Sequence, residues 1–253
     1  MDIIYNIGTA IIILLVSYLV GSIPNAVWIG KVFFHKDPRD YGSGNAGGTN
    51  AGRVFGKRIG VLVIFLDAIK LIVPMYIFWA ILTYAPIDNG KPLMISTYET
   101  YMGTDINYII KWPIYFLATI GCSIGHCYPI FAQFKGGKNV SSFYGVVLGT
   151  SWIIGLLAGF SFFGVLKWKK YVSLASIISS WIAVLLTWTW SILLLTHVIQ
   201  GEWSWFVAYG CSLDCGYMFA IATTIGAIIL TIKHTPNIKR LKEGTESKIK
   251  WMK

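Results

Sequence analysis

Three short polar stretches carry residue types that could do chemistry. The first reads YGSGNAGGTNAGRVFG over residues 41–56. Gly42 and Gly44 can take backbone angles other residues avoid, so that successive N–H groups converge on an anion. Ser43, Thr49 and Asn50 add neutral donors, and Arg53 adds a forked cation suited to phosphate or carboxylate. The second, FKGGK at residues 134–138, brackets Gly136 and Gly137 with Lys135 and Lys138, again an anion-binding arrangement. Its plainer reading is a basic helix end anchored at a membrane surface. The third is KHTPN at residues 233–237. If Pro236 opens a helix, His234 and Asn237 face one site. Its plainer reading is a basic tail held near anionic lipid.

Two motif matches here carry little weight. Gly42, Gly44 and Gly47 fit the dinucleotide fingerprint, but an apolar helix precedes them rather than a strand, and the G-K-[ST] ending of a nucleotide P-loop is missing. His35 and Asp40 have the H-x-x-x-x-D spacing of the large acyl-CoA-dependent acyltransferases. Pro38 between them argues against a rigid helical turn joining the pair.

The elements that must position these stretches are apolar. The chain has 253 residues, 55% of them hydrophobic and 13% charged. A bilayer span needs roughly 20 apolar residues. Residues 3–24, 59–84, 112–134, 139–166, 172–196 and 217–232 supply such runs, with Asp67 and Lys70 the only acid or base among them. An all-α membrane protein follows, expected as one domain over residues 1–253. Asp67 and Lys70 are expected as a self-neutralised pair facing the interior. His126 is expected as a packed, hydrogen-bonded core histidine. Cys122 and Cys127 read as packed thiols, and a Cys211–Cys215 disulfide is a weak alternative for the other two. No paired C-x-x-C pattern suggests zinc, and neither metal nor cofactor is expected.

Most lysines and arginines fall in four segments, residues 31–58, 135–138, 167–170 and 233–253. The positive-inside rule places these in the cytoplasm, with the N terminus outside and the C terminus inside. Residues 139–166 must then go out and come back. Twenty-eight residues are too few for two full spans at about 1.5 Å per residue. Two short helices breaking near Gly149–Ser151, as partial spans or a re-entrant pair, satisfy the parity and bring the count to about seven. One long span with Lys167 outside is the alternative.

Taken together, the stretches resemble the bacterial acyl-phosphate:glycerol-3-phosphate acyltransferases. DPRDYGSGNAGGTNAGRVFGKRIGVLVIFLDAIK is similar to that family's DxRxxGSGNxGATNxxRxxGKxxGxxVxxxDxxKG. GHCYPIFAQFKGGKNVSSFYG is similar to GHxxPVFxxFKGGKGVATxxG, and HTPNIKRLKEGTESKI to HRxNIxRLxxGxExK. YVSLASI resembles a further segment, and order and spacing agree from about residue 14 to 250.

The resemblance implies a seven-helix integral membrane enzyme. It would move a fatty acyl group from acyl phosphate to the 1-hydroxyl of sn-glycerol 3-phosphate. Ser43 and His234 would be catalytic. Arg53, Lys138, Ser176 and Asn237 would bind substrate, with Gly42, Gly44, Thr49, Asn50, Gly136 and Gly137 in the loops that hold phosphate. Serines in membrane helices usually bond their own backbone, so Ser173 and Ser176 are weak candidates from their types alone. Departures are Gly48 for alanine, Asn139 for glycine, Ser141–Ser142 for Ala-Thr and Thr235 for arginine, and residues 84–108 form a longer outer loop.

The implied partners are acyl phosphate, glycerol 3-phosphate and membrane lipid, with no nucleic acid, and the protein is expected to act as a monomer. The site is expected on the cytoplasmic face of the cell membrane. An acyl phosphate is already activated, so direct transfer needs only alignment and charge stabilisation. An acyl-Ser43 intermediate is the rival and needs a base near Ser43. A transporter of phosphorylated metabolites is the reading from another class; it should show a polar path from the outer face.

Overall fold

Apolar runs that cannot leave backbone groups unpaired in lipid must become helices, and they do. The structure, a computed structural model, describes residues 2–88, 91–92, 114–196, 198, 207–208, 211–212 and 217–249. The helices are α1 (Asp2–Gly21), α2 (Asn25–Phe34), α3 (Gly48–Phe55), α4 (Lys57–Tyr84) and α5 (Leu117–Cys127). They continue as α6 (Val140–Thr150), α7 (Trp152–Lys169), α8 (Val172–Leu195), α9 (Tyr217–Lys233) and α10 (Thr235–Lys242). Most of the outer loop 84–108 and the Cys211–Cys215 pairing lie outside the described residues.

Among the described residues, five helical stretches are long and apolar enough to cross a membrane, or six if the bent pair α9–α10 counts as one. The short apolar helix α6 joins them in the bundle. The break expected near Gly149–Ser151 falls at Ser151. The two halves are unequal, however. With 11 residues α6 reaches about 16 Å, whereas α7, with 18, reaches about 27 Å, close to a full span. The apolar run ends at Leu166, yet the helix runs on to Lys169, because the long lysine stems can carry their charges outward from the apolar layer. The run over 112–134 also shortens: α5 stops at Cys127, just before Pro129, which has no N–H to continue the ladder.

Close backbone approach holds the centre. On α5, a Cβ at Gly121 would lie 2.6 Å from the Leu14 carbonyl oxygen, and one at Gly125 would lie 2.2 Å from that of Tyr18. This is the small-xxx-small packing of membrane helices, here joining α5 to α1. Between α8 and α9, Trp181 Nε1 donates to Thr231 Oγ1 (3.1 Å) and Trp188 Nε1 to Thr224 Oγ1 (3.0 Å). Phe116 and Phe219 stack at 5.6 Å in a buried core shared by Ile13, Met75, Val147 and Ile154. The outward stripe of α1 (Ile7, Ile11, Ile12, Leu15, Leu19) and Phe160 and Phe163 of α7 are exposed, as lipid-facing residues should be.

Contacts bring the four basic segments to one end of the bundle. Arg39 reaches the main chain of Ala132 and Lys135, Lys138 bonds Asn237, and the Ile249 N–H bonds the Lys170 carbonyl. The out-and-back path of α6 and α7 is what this gathering requires.

Candidate functional site

The first polar stretch is only half a loop. Residues 48–55 fold into α3 despite two glycines, because Gly47 caps it and its buried side packs on α4. Helical spacing then sorts the residues. Thr49 and Arg53, four apart, share the exposed face, while Asn50 and Ala51 are buried.

Asn50 is the organiser. Its Nδ2 donates to the carbonyls of Pro38 (2.7 Å), Tyr41 (3.1 Å) and Asn45 (3.0 Å). Its Oδ1 accepts from the Ser43 N–H (2.7 Å) and Ser43 Oγ (3.1 Å). The side chain is fully engaged with its own loop, and what it presents outward is Ser43, which is exposed. Gly42 and Gly44 make the turn at φ +63° and +67°, where a side chain is strained.

Arg39, which the sequence reading did not single out, fastens this loop to the second. Asp37 grips it through Nε (3.0 Å) and Nη2 (2.7 Å), and Nη1 donates to Ala132 O (2.9 Å). The Arg39 guanidinium holds the Asp37 carboxyl below its usual range. The only advance signal was the Asp-x-Arg spacing itself.

The second stretch bends at unexpected places. Gln133, Phe134 and Asn139 take left-handed angles (φ +57°, +59°, +62°). Gly136 and Gly137 do not; they are small because His126 lies against them. A Cβ at Gly137 would sit 2.1 Å from His126 Nε2, and one at Gly136 would sit 2.1 Å from the His126 carbonyl oxygen. Asn139, where the family pattern has glycine, therefore occupies an angle that asparagine tolerates better than most residues.

The third stretch meets the second directly. His234 caps α10 and Pro236 stands in its first turn. Asn237 Oδ1 accepts from Lys138 Nζ (2.6 Å). Its Nδ2 donates to Glu246 Oε1 (2.7 Å), which also accepts from Ser173 Oγ (2.7 Å), and Arg240 Nε bonds Glu246 Oε2 (2.7 Å). Burial raises the Glu246 carboxyl, but hydrogen bonds from Asn237, Ser173 and Arg240 outweigh this and keep it below its usual value. Burial lowers the Lys138 ammonium, helped by the positive charges of Arg240, Arg53 and Lys233.

His234 is 3% exposed and its Nδ1 lies 2.8 Å from Leu230 O. A carbonyl can only accept, so Nδ1 carries the proton and Nε2 keeps a lone pair. Burial pushes the ring down to about 4, with the Leu230 bond opposing. Ser176 is buried and donates to Val172 O (2.9 Å) on its own helix. Thr235 Oγ1 likewise donates to Ile232 O (2.7 Å). Among the described residues the hydrogen bonds of Ser43 go to Asn50, and none joins it to His234. The decoy pair His35 and Asp40 is exposed.

A cleft of about 480 Å³ opens between the first two stretches, lined by Arg39, Asp40, Gly44, Phe134, Lys135, Gly136 and Lys233 among others. Lys233 is held there by the Cys127 carbonyl (3.1 Å) and the Tyr128 ring (4.4 Å). Gly136 on its wall stands two residues before Lys138. The structure is thus a helical membrane bundle with glycine-bearing loops and basic residues gathered around one cleft at one end.

The family model described as glycerol-3-phosphate acyltransferase matches residues 11–244. The glycerol-3-phosphate acyltransferase of Staphylococcus haemolyticus (strain JCSC1435) is 38% identical over 242 residues, covering 96% of this chain and 98% of its own. That of Staphylococcus aureus (strain JH9) is 37% identical over 243 residues, with the same coverage. The crystal structure of PlsY (YgiH), an integral membrane glycerol 3-phosphate acyltransferase, in its glycerol 3-phosphate form aligns with TM-score 0.68 and 28% identity over 96% of both chains. Its lysophosphatidic acid form aligns at 0.66 and 27%, again over 96% of both chains. The chain belongs to the glycerol-3-phosphate acyltransferase family.

Proposed function

We propose that this protein transfers a fatty acyl group from acyl phosphate to the 1-hydroxyl of sn-glycerol 3-phosphate. The products are 1-acylglycerol 3-phosphate and phosphate, the opening step of phospholipid synthesis. The observation that carries this reading is the Lys138–Asn237 bond, which joins the second and third stretches at the end of the bundle where the cleft opens between the first two. Family membership and the full-length likeness to PlsY support it.

In the reaction, the acceptor hydroxyl oxygen attacks the acyl carbonyl carbon. The bond from that carbon to the phosphate oxygen breaks, and phosphate leaves with the electron pair. Arg53 and Lys138 bind phosphate oxygens, Arg53 on the acceptor. Gly42, Gly44, Thr49, Gly136 and Gly137 border the phosphates, and Asn50 acts through Ser43, whose hydroxyl it holds. Asn237 positions Lys138 by accepting from its ammonium; Ser176, buried and bonded to its own helix, has no part in this step. The hydroxyl proton has two acceptors within the same site: Nε2 of His234 and the dianionic phosphate of the acceptor itself. Ser43 orients the reactants by hydrogen bonding rather than attacking, a role favoured by the absence of a hydrogen bond to His234 among the described residues. The enzyme works without metal or cofactor, as a monomer and a single domain. Its N terminus lies outside and its C terminus and site lie in the cytoplasm.

Purified protein given acyl phosphate and glycerol 3-phosphate, with chelator present, should form 1-acylglycerol 3-phosphate. No product under any lipid or detergent condition would overturn the reading. Intact mass after acyl phosphate alone should show unmodified protein; a stable acyl adduct lost in Ser43→Ala would replace direct transfer with the covalent route.

A further inference from the structure

Beneath the second loop lies a polar cluster that no step of the reaction uses. Asp67 and Lys70 on α4 and His126 on α5 are 1%, 8% and 5% exposed. Lys70 Nζ is 3.1 Å from Asp67 Oδ1 and donates to Ile23 O at 2.8 Å. Asn25 Nδ2, at the start of α2, donates to the same Asp67 oxygen at 2.9 Å. The Asp67 carbonyl accepts from Ser142 Oγ on α6 at 3.1 Å. One residue of α4 is thereby tied to both the helix that leads into the first loop and the helix that leaves the second.

His126 connects this cluster to the surface. Its carbonyl accepts the Gly137 N–H at 3.0 Å, and its ring is the floor on which Gly137 rests. Its Nδ1 stands 3.7 Å from Asp67 Oδ1, beyond hydrogen-bond distance. His126 Nδ1 and Asp67 Oδ2 are both enclosed without a hydrogen-bond partner. They border a cavity of about 10 Å³ that Gly136 and Gly137 roof, about the space one water needs (~10–15 Å³).

A buried ion pair is a poor way to stabilise a bundle, because desolvation offsets most of its attraction. An apolar contact between α4 and α5 would serve the fold as well. What this cluster adds is direction: it fixes the ring that fixes the loop. We propose that Asp67, Lys70 and His126 form a positioning unit for Gly136–Gly137, with a water joining His126 Nδ1 to Asp67 Oδ2, and so set the affinity for the phosphate held at Lys138. The proposal rests on the phosphate-binding reading of that loop and needs no acyl transfer.

The test is reciprocal. In purified His126→Ala, the KM for glycerol 3-phosphate should rise about 10-fold while kcat changes less than about 3-fold. Calorimetric binding of inorganic phosphate should weaken by a similar factor. Gly137→Ala, whose new methyl meets the ring, should be worse than His126→Ala. The double variant removes ring and clash together and should bind phosphate more tightly than Gly137→Ala alone. Should His126→Ala not fold, His126→Gln, which keeps a planar polar group against the glycine, should raise KM by a smaller factor. Unchanged phosphate affinity in a folded His126 variant would overturn the proposal, as would a double variant no better than Gly137→Ala. If wild-type protein makes no acylated product but its phosphate affinity still depends on His126, the reaction reading falls and the positioning unit stands.

Discussion

The two glycine-bearing loops that meet at the cleft use glycine for different reasons. In the first, Gly42 and Gly44 supply backbone angle, at φ +63° and +67°. In the second, angle comes from Gln133, Phe134 and Asn139, while Gly136 and Gly137 supply empty volume against His126. One letter therefore encodes a torsion in one loop and a missing side chain in the other. The difference predicts which substitutions each loop accepts.

The largest effect should follow Gly42→Ala, where angle and space fail together. An added Cβ would lie 2.4 Å from Asn50 Oδ1, the atom that holds Ser43. A left-handed alanine costs about 1–2 kcal/mol and a lost buried hydrogen bond about as much again. A fall in kcat/KM of about 100-fold or more is expected in steady-state assays of acyl transfer. Activity within a few-fold of wild type would mean the first loop does not depend on this turn. A step smaller, Arg53→Ala leaves both loops folded, because Arg53 is exposed on α3. On the proposed reading it removes one charge-assisted phosphate contact, so the KM for glycerol 3-phosphate should rise about 10- to 100-fold. Wild-type acceptor kinetics would remove Arg53 from the site.

Why the sequence revealed some of this and not the rest is itself physical. Helix number and the break at Ser151 were readable because hydropathy and the placement of lysines are one-dimensional signals. That Thr49 and Arg53 share an exposed face follows once the helix is known, from their four-residue spacing. That Asn50 faces inward was not readable, since the eight residues of α3 look like loop by composition and helical only through packing on α4. Arg39 and Glu246 were missed for a related reason. Each acts on a partner far along the chain, Arg39 on Ala132 and Glu246 on Ser173, and charge patterning carries no record of such pairs. The role of His126 under Gly137 was hidden likewise: the sequence placed the histidine in the core but could not say what it supports.

The pH profile separates the loops from the tail. His234 is pushed down to about 4, so it stays neutral above about pH 5, and protonation removes its Nε2 lone pair only as pH falls toward 4. Its folded value lies below the ordinary value of about 6.5. The histidine therefore contributes no acidic limb between pH 5 and 8, whichever group takes the hydroxyl proton. Any limb near pH 6 belongs to the second ionisation of the substrate phosphate, about 6, and should persist in the residual activity of His234→Gln. A limb near 6.5 that disappears in that variant would show that the ring titrates normally and is less buried than described.

The smallest effect should come from Asn139, where the second loop departs from the family pattern. Its side chain is buried, with Nδ2 making only a long 3.4 Å bond to Gly226 O and Oδ1 unpartnered. Replacing it by glycine removes that weak bond and a desolvated oxygen at once, and glycine accepts φ +62° freely. These terms oppose one another, so Asn139→Gly should change stability by less than about 1 kcal/mol and leave kcat/KM within about 2-fold. Asn139→Val meets the same angle with a β-branched side chain and should lose about 2 kcal/mol, read as a lower thermal midpoint in detergent. If glycine here proved as damaging as alanine at position 42, the second loop would depend on the asparagine amide rather than on backbone angle, and the contrast between the loops would have to be redrawn.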